Sequence, residues 1–215
     1  MEISQLTPLL LAAYLLGSIP SAVWIGRAFF NIDVREHGSG NAGATNTLRV
    51  LGKPAGISVL IVDLLKGLAA VSLLHFFSTL APETQVFRKH QLFLGLAAVI
   101  GHVYPIFAGF KGGKGIATLL GMVIGISWPV AILCALVFIC TVWLSKYVSL
   151  GSMMGAAFSP IFVRFIYGAD ETFFLYFCLA IAGMVVYTHR ANIQRLRAGT
   201  ESKFSFNKKP EINTP

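Results

Sequence analysis

Long apolar runs alternate along this chain with short polar stretches rich in glycine. A helix needs about 20 mostly apolar residues to cross a bilayer core of about 30 Å. Leu6–Phe30 meets that requirement, as does Pro54–Phe77, which carries Asp63 and Lys66 near its middle. Gln91–Phe110 is a third such run, and Gly115–Ser145 contains no charged residue. As one helix the last would be about 46 Å long, too long for the core. Ser127-Trp128-Pro129 offers a break, since proline disfavours helix at the residue before it, so the run divides into two short spans. Gly151–Tyr167 and Thr172–Thr188 follow. The pattern predicts an all-α integral membrane protein, with seven transmembrane helices in one compact bundle over residues 1–200. The polar segment 201–215 reads as a flexible cytoplasmic tail.

The number of spans decides which loops share a face. With seven, loop 31–53, loop 111–115, segment 146–152 and everything from His189 lie together. They collect Arg27, Arg35, Arg49, Lys53, Lys111, Lys114, Lys146, Arg190, Arg195, Arg197, Lys203, Lys208 and Lys209. The other face has Arg88 and Lys89 with Glu83, Asp170 and Glu171. With six spans, the last two basic groups would separate from the first two. The positive-inside rule therefore places the N-terminus outside and the C-terminus in the cytoplasm. The first residues lack a basic region, and the uncharged run Ile3–Gly26 does not read as a cleaved signal peptide.

Composition strengthens this picture. Residues are 55% hydrophobic and 12% charged, against about 25% charged in soluble domains, which excludes a water-soluble fold. The net charge of +8 would suggest nucleic acid in a soluble chain. Here it reflects cytoplasmic loops and an anionic substrate, and no nucleic-acid partner is expected. Cys134, Cys140 and Cys178 lie in apolar stretches without metal-ligand spacing and read as packing residues. No carboxylate cluster exists to hold a metal, so neither metal nor cofactor is expected.

The polar stretches carry the candidate chemistry. "GSGNAGATNTLR" (38–49) contains G-x-G-x-x-G, but a membrane helix precedes it where a dinucleotide fold needs a strand. "GFKGGKGIAT" (109–118) lacks the spacing and the Ser or Thr of a Walker loop. What remains is a pair of anion-binding loops. Glycines, among them Gly40, Gly43, Gly112 and Gly113, let backbone amides approach an anion. Ser39, Asn41, Thr45 and Asn46 add polar donors, Arg49 adds a planar fork, and Lys111 and Lys114 add point charges. In "SKYVSLGSMMGA" (145–156) the small residues suit close helix packing, and a serine, Ser149 or Ser152, is a candidate to cap the site. In "YTHRANIQRLR" (187–197) His189 and Asn192 share a helical face where the last span leaves the membrane. Asp63 and Lys66 read as a structural ion pair, with support of the site from beneath as the alternative. His102 is a candidate to orient the second loop.

These stretches, with "DLLKG" and "SLGS" between them, resemble the bacterial acyl-phosphate:glycerol-3-phosphate acyltransferases, in order and over nearly the whole chain. The resemblance implies transfer of a fatty acyl group from acyl phosphate to glycerol 3-phosphate, giving lysophosphatidate and phosphate for phospholipid synthesis. It implies a multi-pass protein of the bacterial inner membrane, a site at the cytoplasmic face, membrane lipid around it, and a soluble partner that makes acyl phosphate. Carried over, the family's substrate positions fall on Ser39, Arg49, Lys114, Ser152, His189 and Asn192. The His-x4-Asp pair of other glycerolipid acyltransferases is excluded, because Ala42, Leu80, Gly95, Phe107 and Gln194 stand five residues after the histidines. His189 and the acceptor's own phosphate are the two candidate bases. A transporter of a phosphorylated metabolite is the rival reading, weakened by the absence of an inverted repeat.

Overall fold

The computed structural model describes residues 3–82 and 84–205, with side chains from residue 6 onward. The described residues form helices α1 (Ile3–Gly17), α2 (Ser21–Phe30), α3 (Ala44–Leu51), α4 (Lys53–Phe77), α5 (Gln85–Val103), α6 (Ile116–Ile126), α7 (Trp128–Ser145), α8 (Val148–Tyr167), α9 (Thr172–Thr188) and α10 (Arg190–Arg197). No strand occurs among them. The chain divides into two compact units at Ile126–Ser127.

In the first unit α4 packs on α6, α1 on α5, and α3 on α4. Small residues bring these backbones together. A Cβ on Gly67 would strike the carbonyl of Thr118, and one on Gly121 that of Leu64, so α4 and α6 touch backbone to backbone. Gly17 and Gly101 do the same for α1 and α5, against Ala98 and Tyr14. Without a hydrophobic force between helices in lipid, such close approach is what holds them.

Two expectations about the spans change here. Leu6–Phe30 is long and apolar enough to cross, but it is broken between Gly17 and Ser21, before and at Pro20. The break exposes the carbonyl of Ile19, which Lys66 takes up at 2.9 Å, as irregular backbone at membrane depth requires. The third helix ends at Val103 rather than Phe110, because Pro105 disfavours helix at Tyr104.

In the second unit α7 and α8 form an antiparallel pair whose close contact runs from Gly151 against Phe138 to Gly155 against Cys134. The expected break falls where Ser127 caps α7 and also accepts a hydrogen bond from the Tyr167 hydroxyl at 2.8 Å. Lys146, at φ +64°, turns the chain into α8. Between α9 and α10 the chain bends by 60° at His189.

Among the described residues, five stretches are long and apolar enough to cross a membrane, and α9 with α10 makes a sixth. Helix α6 is apolar but has only 11 residues, about 16 Å, roughly half the bilayer core. All seven predicted runs are helical, but length and apolarity alone support five or six crossings.

Candidate active site

The first glycine loop is shaped by its own side chains. Asp33 caps the 3-10 turn Val34–Glu36 and binds Arg35 at 2.7 Å and Arg27 at 2.9 Å. The hydrogen bond from the Arg35 guanidinium is the main reason its carboxyl is lowered to about 2. The next organiser is Asn46, buried at 1% exposure. Its Oδ1 accepts from the Ser39 amide (2.8 Å) and hydroxyl (3.0 Å), and its Nδ2 donates to the carbonyls of Val34 (2.9 Å) and His37 (3.1 Å). Gly38, at φ +59°, must lack a side chain, since a Cβ would sit 2.5 Å from Asn46 Oδ1. Asn46 has thus committed both donors and both acceptor positions to the loop. It shapes the loop, where sequence reasoning expected a substrate donor.

The second loop folds back on the end of α5. The amides of Gly112 and Gly113 donate to the carbonyls of Val103 and His102, each at 3.2 Å. Here too the structure differs from the expectation: these amides hold the loop together instead of facing an anion. The glycines are needed for space. A Cβ on Gly112 would overlap the His102 carbonyl, and one on Gly113 the His102 ring.

The two loops touch where Gly113 abuts the carbonyl of Ala42, only 2.7 Å from a Cβ built there. Two residues beyond Ala42, α3 begins, and its first internal bond is Thr47 to Gly43. Three residues beyond Gly113, α6 begins, with its first bond from Leu119 to Gly115. Each helix start leaves amides without intrahelical partners and a partial positive charge. Two such ends flank one loop contact, the kind of place that favours phosphate. Ser39, Gly40, Thr45 and Lys111 are exposed there, while Asn41, Gly43, Arg49, Gly112 and Lys114 are half-buried.

Sequence reasoning missed the residue that ties the loops together. Arg35 Nη1 donates to the carbonyls of Ala108 (2.9 Å) and Lys111 (3.2 Å). The spacing Asp33-x-Arg35 was its local signal.

Ser152, His189 and Asn192 belong to the second unit, where another polar group forms. Glu201 Oε1 accepts from the Ser149 hydroxyl (2.7 Å) and Asn192 Nδ2 (2.6 Å), and Oε2 from Arg195 Nε (2.7 Å). Residue 201, expected to open a loose tail, is thereby anchored, and the Phe204 amide donates to the Lys146 carbonyl at 2.7 Å. The rest of the expected tail, 206–215, lies outside the described residues. A lone glutamate in a basic segment was the available signal for Glu201. His189, 2% exposed, has Nδ1 at 2.8 Å from the Val185 carbonyl. A carbonyl only accepts, so Nδ1 carries a proton, and in the neutral ring Nε2 then holds the lone pair. The Ser152 hydroxyl donates to the Val148 carbonyl at 3.0 Å, leaving its oxygen able to accept.

Comparison with known proteins adds the rest. A family model described as glycerol-3-phosphate acyltransferase matches residues 7–199. A glycerol-3-phosphate acyltransferase of Enterococcus faecalis is 48% identical over 205 residues, covering 92% of this chain and 91% of that one. One from Bacillus cereus is 48% identical over 201 residues, covering 94% and 96%. The crystal structure of PlsY, an integral membrane glycerol 3-phosphate acyltransferase, in its glycerol 3-phosphate form superposes with TM-score 0.81 at 38% identity, covering 93% of this chain and 96% of that one. Its lysophosphatidic acid form gives 0.78 at 38% identity, covering 94% and 96%.

Proposed function

The chain belongs to the glycerol-3-phosphate acyltransferase family, and on that premise we propose that its acyl donor is a fatty acyl phosphate. The acceptor hydroxyl of glycerol 3-phosphate attacks the acyl carbonyl, forming the new ester bond. The bond between the acyl carbon and the phosphate oxygen breaks, and inorganic phosphate leaves with those electrons. The products are lysophosphatidate and phosphate. The observation that carries this reading is the contact of the two loops at Ala42 and Gly113, flanked by the N-termini of α3 and α6. Both substrates are phosphates, and an acyl phosphate already has a good leaving group. The protein must mainly bind two anions, orient a hydroxyl and stabilise an oxyanion.

In this reading Arg49 and Lys114 neutralise phosphate and developing oxyanion charge, and Ser39, whose hydroxyl proton is given to Asn46, offers its oxygen as an acceptor at the exposed rim. Gly40, Asn41, Gly43, Thr45 and Lys111 line the acceptor site, with Asn46 shaping the first loop and Gly112 and Gly113 giving the second loop its close packing. Ser152 and Asn192 are carried over from the family resemblance as further substrate positions. The hydroxyl proton goes to His189 Nε2 or to the acceptor's phosphate, whose second pKa is near 6. We place the enzyme in the bacterial inner membrane with seven crossings, the N-terminus outside and the site at the cytoplasmic face. There it receives acyl phosphate from a soluble enzyme that makes it. Purified protein given synthetic acyl phosphate and labelled glycerol 3-phosphate is expected to yield labelled lysophosphatidate. Product formed only from an acyl thioester would reject the donor assignment.

A further inference from the structure

Beneath the loop contact lies a buried polar group. Asp63, Lys66 and His102 are 1%, 5% and 6% exposed. Asp63 Oδ1 accepts from the Ser21 hydroxyl at 2.7 Å and from Lys66 Nζ at 2.8 Å, while Lys66 also holds the Ile19 carbonyl in the break between α1 and α2. A buried ion pair is seldom a net source of stability over well-packed apolar residues, so its presence asks for another role.

That role runs through His102. Its Nδ1 lies 3.5 Å from Asp63 Oδ1, an electrostatic contact without hydrogen-bond alignment. Its Nε2 side abuts Gly113, where an added Cβ would overlap the ring. The same residue's carbonyl accepts the Gly113 amide. Asp63, Lys66 and His102 line a small cavity whose other walls include Ala42, Gly112 and Gly113. The ring therefore stands between a fixed carboxylate and the point where the two loops meet.

We propose that Asp63 and His102 are positioning residues for the second glycine loop. Asp63, clamped by Ser21 and Lys66, sets the His102 ring, and the ring sets the height of Gly113 against Ala42. This controls the affinity of the site for the phosphate of glycerol 3-phosphate, and it rests on the reading of the loops as that phosphate site.

The test uses the full-length protein purified in detergent, with binding of labelled glycerol 3-phosphate and steady-state kinetics measured separately. His102→Ala and Asp63→Asn are expected to raise Kd and KM for glycerol 3-phosphate by about tenfold, with kcat within about threefold of wild type. His102→Gln, whose terminal amide reaches the Nε2 position, is expected to restore most of the affinity. His102→Asn, which ends near Nδ1, is not. Unchanged Kd in His102→Ala overturns the proposal, as does a loss of kcat at unchanged KM. If His102→Ala does not fold, the Gln and Asn variants decide, and equal Kd in those two overturns it. Wild-type protein that fails to bind glycerol 3-phosphate sinks the reading of the loops instead, and wild-type protein that binds it but ignores acyl phosphate sinks only the donor.

Discussion

Arg35 Nη1 donates to the carbonyl oxygen of Ala108 at 2.9 Å and so fastens the first glycine loop to the second. Asp33 holds the other side of the same guanidinium through Nε and Nη2. The planar fork lets one side chain meet a carboxylate and two carbonyls at once, which an ammonium cannot do. Arg35→Ala is therefore expected to raise KM for glycerol 3-phosphate by about tenfold and to lower Tm by about 5 °C. Arg35→Lys should recover less than half of either effect. Wild-type kinetics in Arg35→Lys would show that the fork is not what joins the loops.

Asn46 gives a second prediction. Replacing it by Ala removes four hydrogen bonds and leaves the Val34 carbonyl, which lies in a buried residue, without that donor. An expected cost of about 1–3 kcal/mol follows from unsatisfied buried groups, with loss of most activity. Asn46→Asp keeps the acceptor but turns the Nδ2 donor into an oxygen facing two carbonyls, so it should be no better than Ala. A thermal melt and turnover assay of both variants check this.

Glu201 sets an acid limit. Burial pushes its carboxyl up, but the hydrogen bonds from Ser149, Asn192 and Arg195 outweigh burial and hold it below its ordinary 4.5. A lowered carboxyl stabilises the fold fully above its unfolded value and loses that contribution as pH falls through the folded one. The Tm difference between wild type and Glu201→Gln is thus expected to be constant above about pH 5.5 and to shrink below about 4.5. A difference that widens in acid would contradict the assignment. Asp33, lowered from 3.8 to about 2, should hold the first loop to lower pH still.

The two candidate bases separate by kinetics. If His189 takes the proton, His189→Ala abolishes turnover at saturating acceptor. If the substrate phosphate takes it, kcat persists and KM rises. Arg49→Ala and Lys114→Ala should each lower kcat/KM by about a hundredfold or more. Near-normal values in either would remove that residue from the phosphate site.

Helix positions were legible because lipid imposes a local rule: apolar length and a proline at 129 suffice to place α4, α6, α7, α8 and α9 within a few residues. The loops stood out in the sequence because glycine, arginine and lysine cluster there at the ends of spans, and that clustering is what suggested anion binding. How the loops are built was not. The bonds from Arg35 to Ala108, from Lys66 to Ile19 and from Asn192 to Glu201 join residues whose separation along the chain has no period to betray it.

The sequence by itself determined an all-helical membrane chain with polar, basic, glycine-rich turns, since burial in lipid leaves a backbone almost no alternative to helix. Only the tertiary structure decided that the first run is broken at Pro20, that α6 has only 11 residues, and that the Gly112 and Gly113 amides bind their own chain. The reason is that each depends on which distant carbonyl or carboxylate comes within hydrogen-bond reach, a property of packing that no single stretch carries.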